Sequence, residues 1–242
     1  MHKNIIIIPT YNERKNITKI VEEVILANQG FDILIVDDNS PDGTGLEVDR
    51  LAALYPEVQV LHRPAKRGIG KAYLDGFRWV LERNYEYIFE MDGDLSHNPR
   101  DLPRLLEGVR GSDLCIGSRY IRGGGVRHWP LWRQALSRMA NLYVRLVTQL
   151  PIKDTTAGFK CFKRRVLECL PLDKIHSEGY SFQIEMHYWA WKMGFKLKEI
   201  PIIFVDRPQG RSKMSRQIIW EAFLVVWKLI FDKEANKPRG FC

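Results

Sequence analysis

Two carboxylates separated by one glycine, Asp92-Gly93-Asp94, follow directly on the apolar run Tyr87-Ile88-Phe89-Glu90-Met91. Hard oxygen ligands at this spacing suit a divalent ion such as Mg2+ or Mn2+, and such an ion can bridge a diphosphate. If the run is a strand, the pair stands at its C-terminal end, where open α/β sheets bind ligands. Alone the signal is weak, because strand-to-loop junctions carry Asp-x-Asp by chance. Two earlier strand ends add to it. Ile5–Ile8 breaks at Pro9-Thr10-Tyr11-Asn12-Glu13, and Ile33–Val36 breaks at Asp37-Asp38-Asn39-Ser40-Pro41-Asp42-Gly43. On a parallel sheet these ends share an edge with Asp92 and Asp94, and a nucleotide can bind across them. Tyr11 offers a stacking face, and Glu13 and Asp38 can accept hydrogen bonds from base N–H or ribose hydroxyls. Neither Gly-x-Gly-x-x-Gly after the first strand nor a Walker loop is present, which disfavours a dinucleotide dehydrogenase or a P-loop enzyme.

The elements that would hold these residues alternate. Ile17, Ile20, Val21, Val24 and Ile25 recur at helical spacing after the first strand, and Leu46–Leu54 after the second. Val58–Leu61 reads as a third strand. Gly68-Ile69-Gly70 opens a helix ending near Arg83, Leu102 to Val109 forms the next, and Leu114–Gly117 is a fifth strand. Strand and helix in alternation predict a doubly wound, mostly parallel α/β sheet flanked by helices. Further on, Arg122-Gly123-Gly124-Gly125 reads as a flexible loop and Trp132–Val147 as a helix. Asp154–Phe162 reads as loop and strand, Phe182–Met193 as a helix, and Lys196–Val205 as a bent or edge strand interrupted by Pro201.

The chain of 242 residues is long enough for one such domain. Its 37 basic against 29 acidic residues leave a net charge of +8, which favours anionic partners. A nucleic-acid module is disfavoured, because acidic strand ends repel phosphate without a metal and no nucleic-acid-binding signature appears. Four cysteines without Cys-x-x-Cys spacing argue against zinc and for a reduced, cytosolic compartment. The N-terminus runs straight into a strand, leaving no room for a signal peptide. His97, His128 and His176 are scattered and read as ordinary loop residues, and Lys66, Arg67, Arg122, Arg127 and Arg138 as solvated charges, with lipid headgroups as an alternative facing for some of them. Near the C-terminus, Ile219, Ala222, Phe223, Val226, Leu229 and Ile230 form one apolar stripe and Trp220, Leu224, Trp227 and Phe231 a second. One stripe can pack on the core; the second suits an interfacial helix that is too short to span a bilayer.

Pro9–Glu13, Val36–Thr44, Met91–His97, Gly117-Ser118-Arg119-Tyr120, Gly179-Tyr180-Ser181-Phe182-Gln183 and Phe204-Val205-Asp206-Arg207, followed by Gly210, Ser212 and Lys213, run through nearly the whole chain. In type and order they resemble family 2 glycosyltransferases of the GT-A fold, and within that family the branch of soluble polyprenol- and dolichol-phosphate mannose synthases. The resemblance implies a catalytic domain over residues 1–214, with 215–242 as an interfacial helix and tail. It implies inverting transfer of mannose from GDP-mannose to polyprenyl or dolichyl phosphate, with Mg2+ or Mn2+ as cofactor. The place of action would be the cytoplasmic face of a membrane, reached through the lipid surface or a small membrane-anchoring partner. A sister enzyme moving glucose or N-acetylglucosamine from a UDP-sugar would share the fold and the Asp-x-Asp.

Carried over residue by residue, Pro9, Tyr11, Glu13, Val36 and Asp38 would hold the guanosine. Asp92 and Asp94 would hold the metal, with Gly93 letting the nucleotide approach the backbone. Arg207 and Lys213 would contact the diphosphate, and Arg119, Arg133 and Ser137 the acceptor phosphate, Arg119 also reaching the donor. The catalytic set is then Asp92, Asp94, Arg119 and Arg207. Some relatives carry a metal-binding glutamine where Ser96 stands, and serine is shorter. Asp154 and Thr155 match an acid-plus-threonine loop near the acceptor. A phosphate nucleophile is already ionised near pH 7 and requires no base, which agrees with the lack of an obvious one around Ser177-Glu178-Gly179-Tyr180.

Overall fold

Four consecutive isoleucines, Ile5 to Ile8, are all fully buried. Successive side chains of a strand point to opposite faces, so such a run requires cover on both sides of the sheet. The structure, a computed structural model, describes residues 3–27, 30–206 and 216–231, the last with side chains from Leu224 onward. The first half alternates as β1 (Asn4–Thr10), α1 (Ile17–Ala27), β2 (Phe31–Asp37), α2 (Thr44–Leu54), β3 (Val58–His62), α3 (Ile69–Leu81), β4 (Tyr87–Glu90), α4 (Leu102–Arg110) and β5 (Leu114–Ser118). The second half comprises β6 (Gly125–Arg127), α5 (Leu131–Thr148), β7 (Lys160–Lys163), α6 (Arg164–Cys169), α7 (Gly179–Lys192), β8 (Leu197–Pro201), β9 (Ile203–Val205) and α8 (Arg216–Phe231).

Seven strands form one sheet in the order β3-β2-β1-β4-β7-β5-β8. Ile6, Ile8, Ile33, Ile35 and Phe89 pack on one face with α1, α2 and α4. Ile5, Ile7, Leu34, Val36 and Ile88 pack on the other with α3, α6, α7 and α8. The chain moves from β1 outward to β2 and β3, then returns to the other side of β1 for β4. This reversal opens a crevice at the C-terminal ends of β1 and β4, where sheets of this kind bind ligands.

β7 enters between β4 and β5 antiparallel to both, pairing Lys160 with Glu90 and with Ile116. Its first residue is therefore level with the strand ends, and the loop at 154–159 is delivered to the ligand edge. Periodicity gave a strand here but not its direction. The glycine segment after Arg122 is less loop-like than expected. Gly123 turns the chain at φ 89°, and Gly125 opens β6, which pairs with β9. The break around Pro201 separates edge strand β8 from β9, since proline cannot donate to a ladder.

Cys115 and Cys161 are free, buried thiols. Cys169 is disulfide-bonded, which departs from an all-thiol reading, and its partner is not among the described residues. Pairing follows spatial proximity, which sequence spacing does not report. α8 packs on α5 and α7. Val226 and Leu229 are buried there, each contributing about 1.5–3 kcal/mol, whereas Leu224, Trp227 and Phe231 are exposed. The side chains of Ile219, Trp220, Ala222 and Phe223 lie outside the described residues. No helix among the described residues is long and apolar enough to cross a membrane.

Candidate active site

Each of the loops after β1, β2 and β4 contains a non-glycine residue in the left-handed region: Asn12 at φ 62°, Asn39 at φ 57° and Leu95 at φ 63°. Asparagine tolerates that conformation, but for leucine it costs on the order of 1–2 kcal/mol and is held by its surroundings. The turn at Leu95 lets Asp94 Oδ1 accept from the Ser96 N–H at 3.0 Å, fixing the second carboxylate. Gly93 between the acids packs close to β1; an added Cβ would lie 3.2 Å from the Pro9 carbonyl oxygen.

These loops frame a cavity of about 350 Å3. Pro9, Tyr11 and Glu13 line it from the first strand end, Asp38 from the second, and Asp92, Gly93 and Asp94 from the fourth. Thr156 and Gly158 enter from the loop before β7, and Tyr180 and Gln183 from α7. Val36 is placed differently: its side chain is wholly buried in the core beneath the cavity, so any contact with a ligand would have to come from its backbone. Arg207 and Lys213 lie outside the described residues.

Below the Asp pair sits a layer of buried polar groups. Tyr73 donates to Asp92 Oδ1 at 3.4 Å. Burial pushes this phenol well above its ordinary pKa, with the Asp92, Glu90 and Asp94 carboxylates adding to the rise. Glu90 and Lys160 are both inaccessible, 3.7 Å apart, and Lys160 donates to the Gln183 side-chain carbonyl. Burial pushes Glu90 up to about 7 and Lys160 down to about 8, each change opposed by the attraction between them. His97, expected to be a simple loop residue, is buried instead. Its Nδ1 accepts from the Asp92 N–H at 3.4 Å while its ring stacks on Phe159 at 4.8 Å. Accepting requires a neutral ring, and burial lowers its pKa accordingly.

Asp38 has a structural task at the cavity wall. Its carboxylate accepts from Arg63 Nη1 at 2.5 Å and from the N–H groups of Arg67 and Gly68. The basic loop after β3 is thereby tied to the end of β2. Lys66 of that loop is exposed, as expected, and its ammonium also lies 3.7 Å from the Tyr11 ring centroid.

Glu178 closes the other side. Its Oε2 accepts from the Gly70 N–H at 2.9 Å, capping α3. Only glycine fits at position 68, with φ 98° and Glu178 Oε2 2.2 Å from where a Cβ would stand. Burial raises the Glu178 pKa, while the N–H groups of Gly70 and Lys71 oppose the rise. A carboxylate held on a helix N-terminus is poorly placed to act as a base. Glu178→Gln should therefore keep kcat within a few fold and lose about 0.3–1 kcal/mol of stability, as steady-state rates and denaturant unfolding would show. A fall of about 10²–10⁴, the worth of a general base, would make Glu178 a base after all.

The acceptor residues named from sequence cluster beside the cavity. Arg119 grips Asp154 with Nε at 2.7 Å and Nη2 at 2.6 Å, both residues buried. Its Nη2 also reaches Thr156 Oγ1 at 2.8 Å, and Thr156 lines the cavity. Arg133 lies 4.1 Å from the Trp129 ring centroid and pairs with Asp206 at 2.9 Å. Arg119 approaches the same ring at 5.6 Å, and Ser137 Oγ accepts from the Tyr120 hydroxyl at 2.6 Å. Asn141, which carried no signal in the sequence, accepts from both the N–H and the hydroxyl of Thr155 and so holds this loop.

A seven-stranded mixed sheet with an acidic pair at its switch edge is a GT-A fold, and the comparisons agree. Residues 5–171 match glycosyl transferase family 2. A polyprenol monophosphomannose synthase from Mycolicibacterium smegmatis is 49% identical over 98% of this chain and 91% of its own. An undecaprenyl-phosphate mannosyltransferase from Micrococcus luteus is 46% identical over 96% and 97%. A dolichol-phosphate mannosyltransferase from Pyrococcus furiosus is 35% identical over 93% of this chain and 63% of its own. Among solved structures, a mycobacterial protein superimposes with TM-score 0.68 at 16% identity, over 98% of this chain and 76% of its own. A mannosyltransferase from Pyrobaculum calidifontis, in complex with GDP-Man and Mn2+, does so with TM-score 0.62 at 17% identity, over 93% and 64%. The chain belongs to glycosyl transferase family 2 and is a glycosyltransferase.

Proposed function

We propose that this enzyme transfers mannose from GDP-mannose to a polyprenyl or dolichyl phosphate, with inversion, giving the β-linked mannosyl phospholipid and GDP. The observation that carries the reading is the bridge through Thr156, which lines the acidic cavity and accepts from the buried Arg119. A donor diphosphate near Asp92 and Asp94 and an acceptor phosphate near Arg119, Arg133 and Ser137 would meet there. The names of the relatives at 49% and 46% identity support both the sugar and the acceptor class.

The phosphate oxygen of the acceptor attacks the anomeric carbon as the bond to the diphosphate breaks. That phosphate is ionised near neutral pH, so no proton need be removed by the protein, and Glu178, whose Oε2 caps α3, is not required as a base. Arginine suits the acceptor because its planar guanidinium matches phosphate with paired hydrogen bonds.

Asp92 and Asp94 fit a divalent metal. Both line the cavity, both are hard oxygen donors, and the Ser96 hydroxyl near them is buried without a hydrogen-bond partner. Mg2+ or Mn2+ held there would neutralise charge on the departing diphosphate. Arg207 and Lys213 are proposed to contact that diphosphate, and Pro9, Tyr11, Glu13, the Val36 backbone and Asp38 to surround the guanosine.

The reading places the enzyme at the cytoplasmic face of a membrane, with α8 on the lipid surface or on a small anchoring partner. Polar replacement of Leu224, Trp227 and Phe231 should weaken vesicle binding and transfer to long-chain acceptors while sparing a short, water-soluble prenyl phosphate. Equal damage to both acceptors would mean that this exposed face does not dock the enzyme on the membrane. The donor is tested by offering GDP-mannose, UDP-glucose and UDP-N-acetylglucosamine in turn with one polyprenyl phosphate. Product from GDP-mannose is expected, and product from a UDP-sugar alone would overturn the assignment.

A further inference from the structure

A second cavity, of about 280 Å3, shares no lining residue with the donor cavity. It lies between α5 and the segment that begins at Arg119, which itself lines it, and Arg138, Arg145 and Lys153 converge on it. Among the described residues these three side chains form no ion pair, while the charge of Arg119 is already matched by Asp154. Arg138 and Arg145 stand two turns apart on one side of α5, with Asn141 and Leu142 between them. The Arg145 Nε is buried and has no partner. Like charges brought together without a counter-ion repel one another, and an anionic occupant would reverse that cost.

What covers this face is indicated by its apolar neighbours. Leu142, on the cavity rim, is 51% exposed, and along the same helix Leu131, Met139 and Leu146 are between 67% and 82% exposed. α5 packs beside α8, whose Leu224, Trp227 and Phe231 are also exposed. Cations next to an uncovered apolar stripe complement a bilayer surface, where headgroup phosphates lie directly over acyl chains. We propose that this cavity takes the headgroup phosphate of an anionic phospholipid, with the exposed stripe of α5 seated in the underlying acyl region. Arg119, which the transferase reading gives to the acceptor phosphate, borders this cavity, whereas Arg133 and Ser137 do not line it. The charges proposed for the headgroup are those of Arg138, Arg145 and Lys153, and the proposal does not depend on which sugar is transferred.

The test uses the full chain with neither sugar donor nor polyprenyl phosphate, so its failure and that of the transferase reading are separable. Cosedimentation with phosphatidylcholine vesicles is compared with vesicles that also contain phosphatidylglycerol. The protein should prefer the anionic vesicles, and the preference should fall with salt. The combined variant Arg138→Gln, Arg145→Gln, Lys153→Gln should bind anionic vesicles on the order of a hundredfold more weakly and lose the preference, with unchanged thermal unfolding. Leu142→Ser with Leu146→Ser should weaken binding to both vesicle types while keeping the preference. If the charge variant retains the parent's preference, the cavity is not the headgroup site. If the parent shows no vesicle preference but binds inorganic phosphate in a calorimeter, and the charge variant does not, the cavity is a free-anion site and the proposal falls.

Discussion

Replacing Asp92 or Asp94 by alanine should lower kcat/KM by about a thousandfold or more while leaving the unfolding transition nearly unchanged. Stabilising charge on a departing diphosphate is usually the largest single contribution in such a transfer, and removing even one donor to a developing oxyanion costs about 10²–10³. Both residues lie past the end of β4, outside the hydrogen-bonded ladder, so the sheet does not need their side chains. Metal-dependent binding of GDP, followed by calorimetry with and without chelator, should be lost in parallel. If GDP binds equally well with chelator present and both variants keep their activity, Asp92 and Asp94 do not hold a metal.

Arg119→Ala should do two kinds of damage, and the structure says how to separate them. Its partner Asp154 has no exposed surface, so truncation leaves a buried carboxylate without its cation, at a cost of about 3–5 kcal/mol. That is a large share of a typical stability of about 5–15 kcal/mol, and activity lost in this variant would partly reflect unfolding. Arg119→Met combined with Asp154→Leu should recover much of the stability, because exchanging a whole buried pair for apolar residues is often neutral. Arg119→Lys keeps the charge but loses the planar fork. It should raise KM for lipid phosphate by about one to two decades, the worth of about 1.5–3 kcal/mol, and KM for GDP-mannose much less. Equal increases in both would mean that Arg119 does not discriminate between acceptor and donor.

The alternation of strand and helix through the first half was legible because each period is local. Ile17, Ile20, Val21 and Val24 mark one helical face, and all four are buried. The strand ends at Pro9–Glu13, Asp38 and Asp92–Asp94 could likewise be placed on one edge, because a parallel sheet puts its strand ends together. What the sequence did not show depends on contacts between distant residues. Arg63 meets Asp38 from the end of β3, and Lys160 meets Glu90 only because β7 runs antiparallel between β4 and β5. The grip of Arg119 on Asp154 depends on the same inserted strand. His97 gave no signal, since its role comes from burial against Phe159 and a backbone hydrogen bond that no local pattern encodes.

The central claim is that this edge carries sugar transfer to a lipid phosphate, and one assay tests it directly. The full chain is incubated with GDP-mannose labelled in the sugar, a polyprenyl phosphate and Mg2+ or Mn2+, and the lipid fraction is extracted. Label should appear in a mannosyl phospholipid whose anomeric configuration by NMR is β, and chelator should abolish it. Release of free mannose alone, or transfer to a polyprenyl alcohol in preference to the phosphate, would contradict the account.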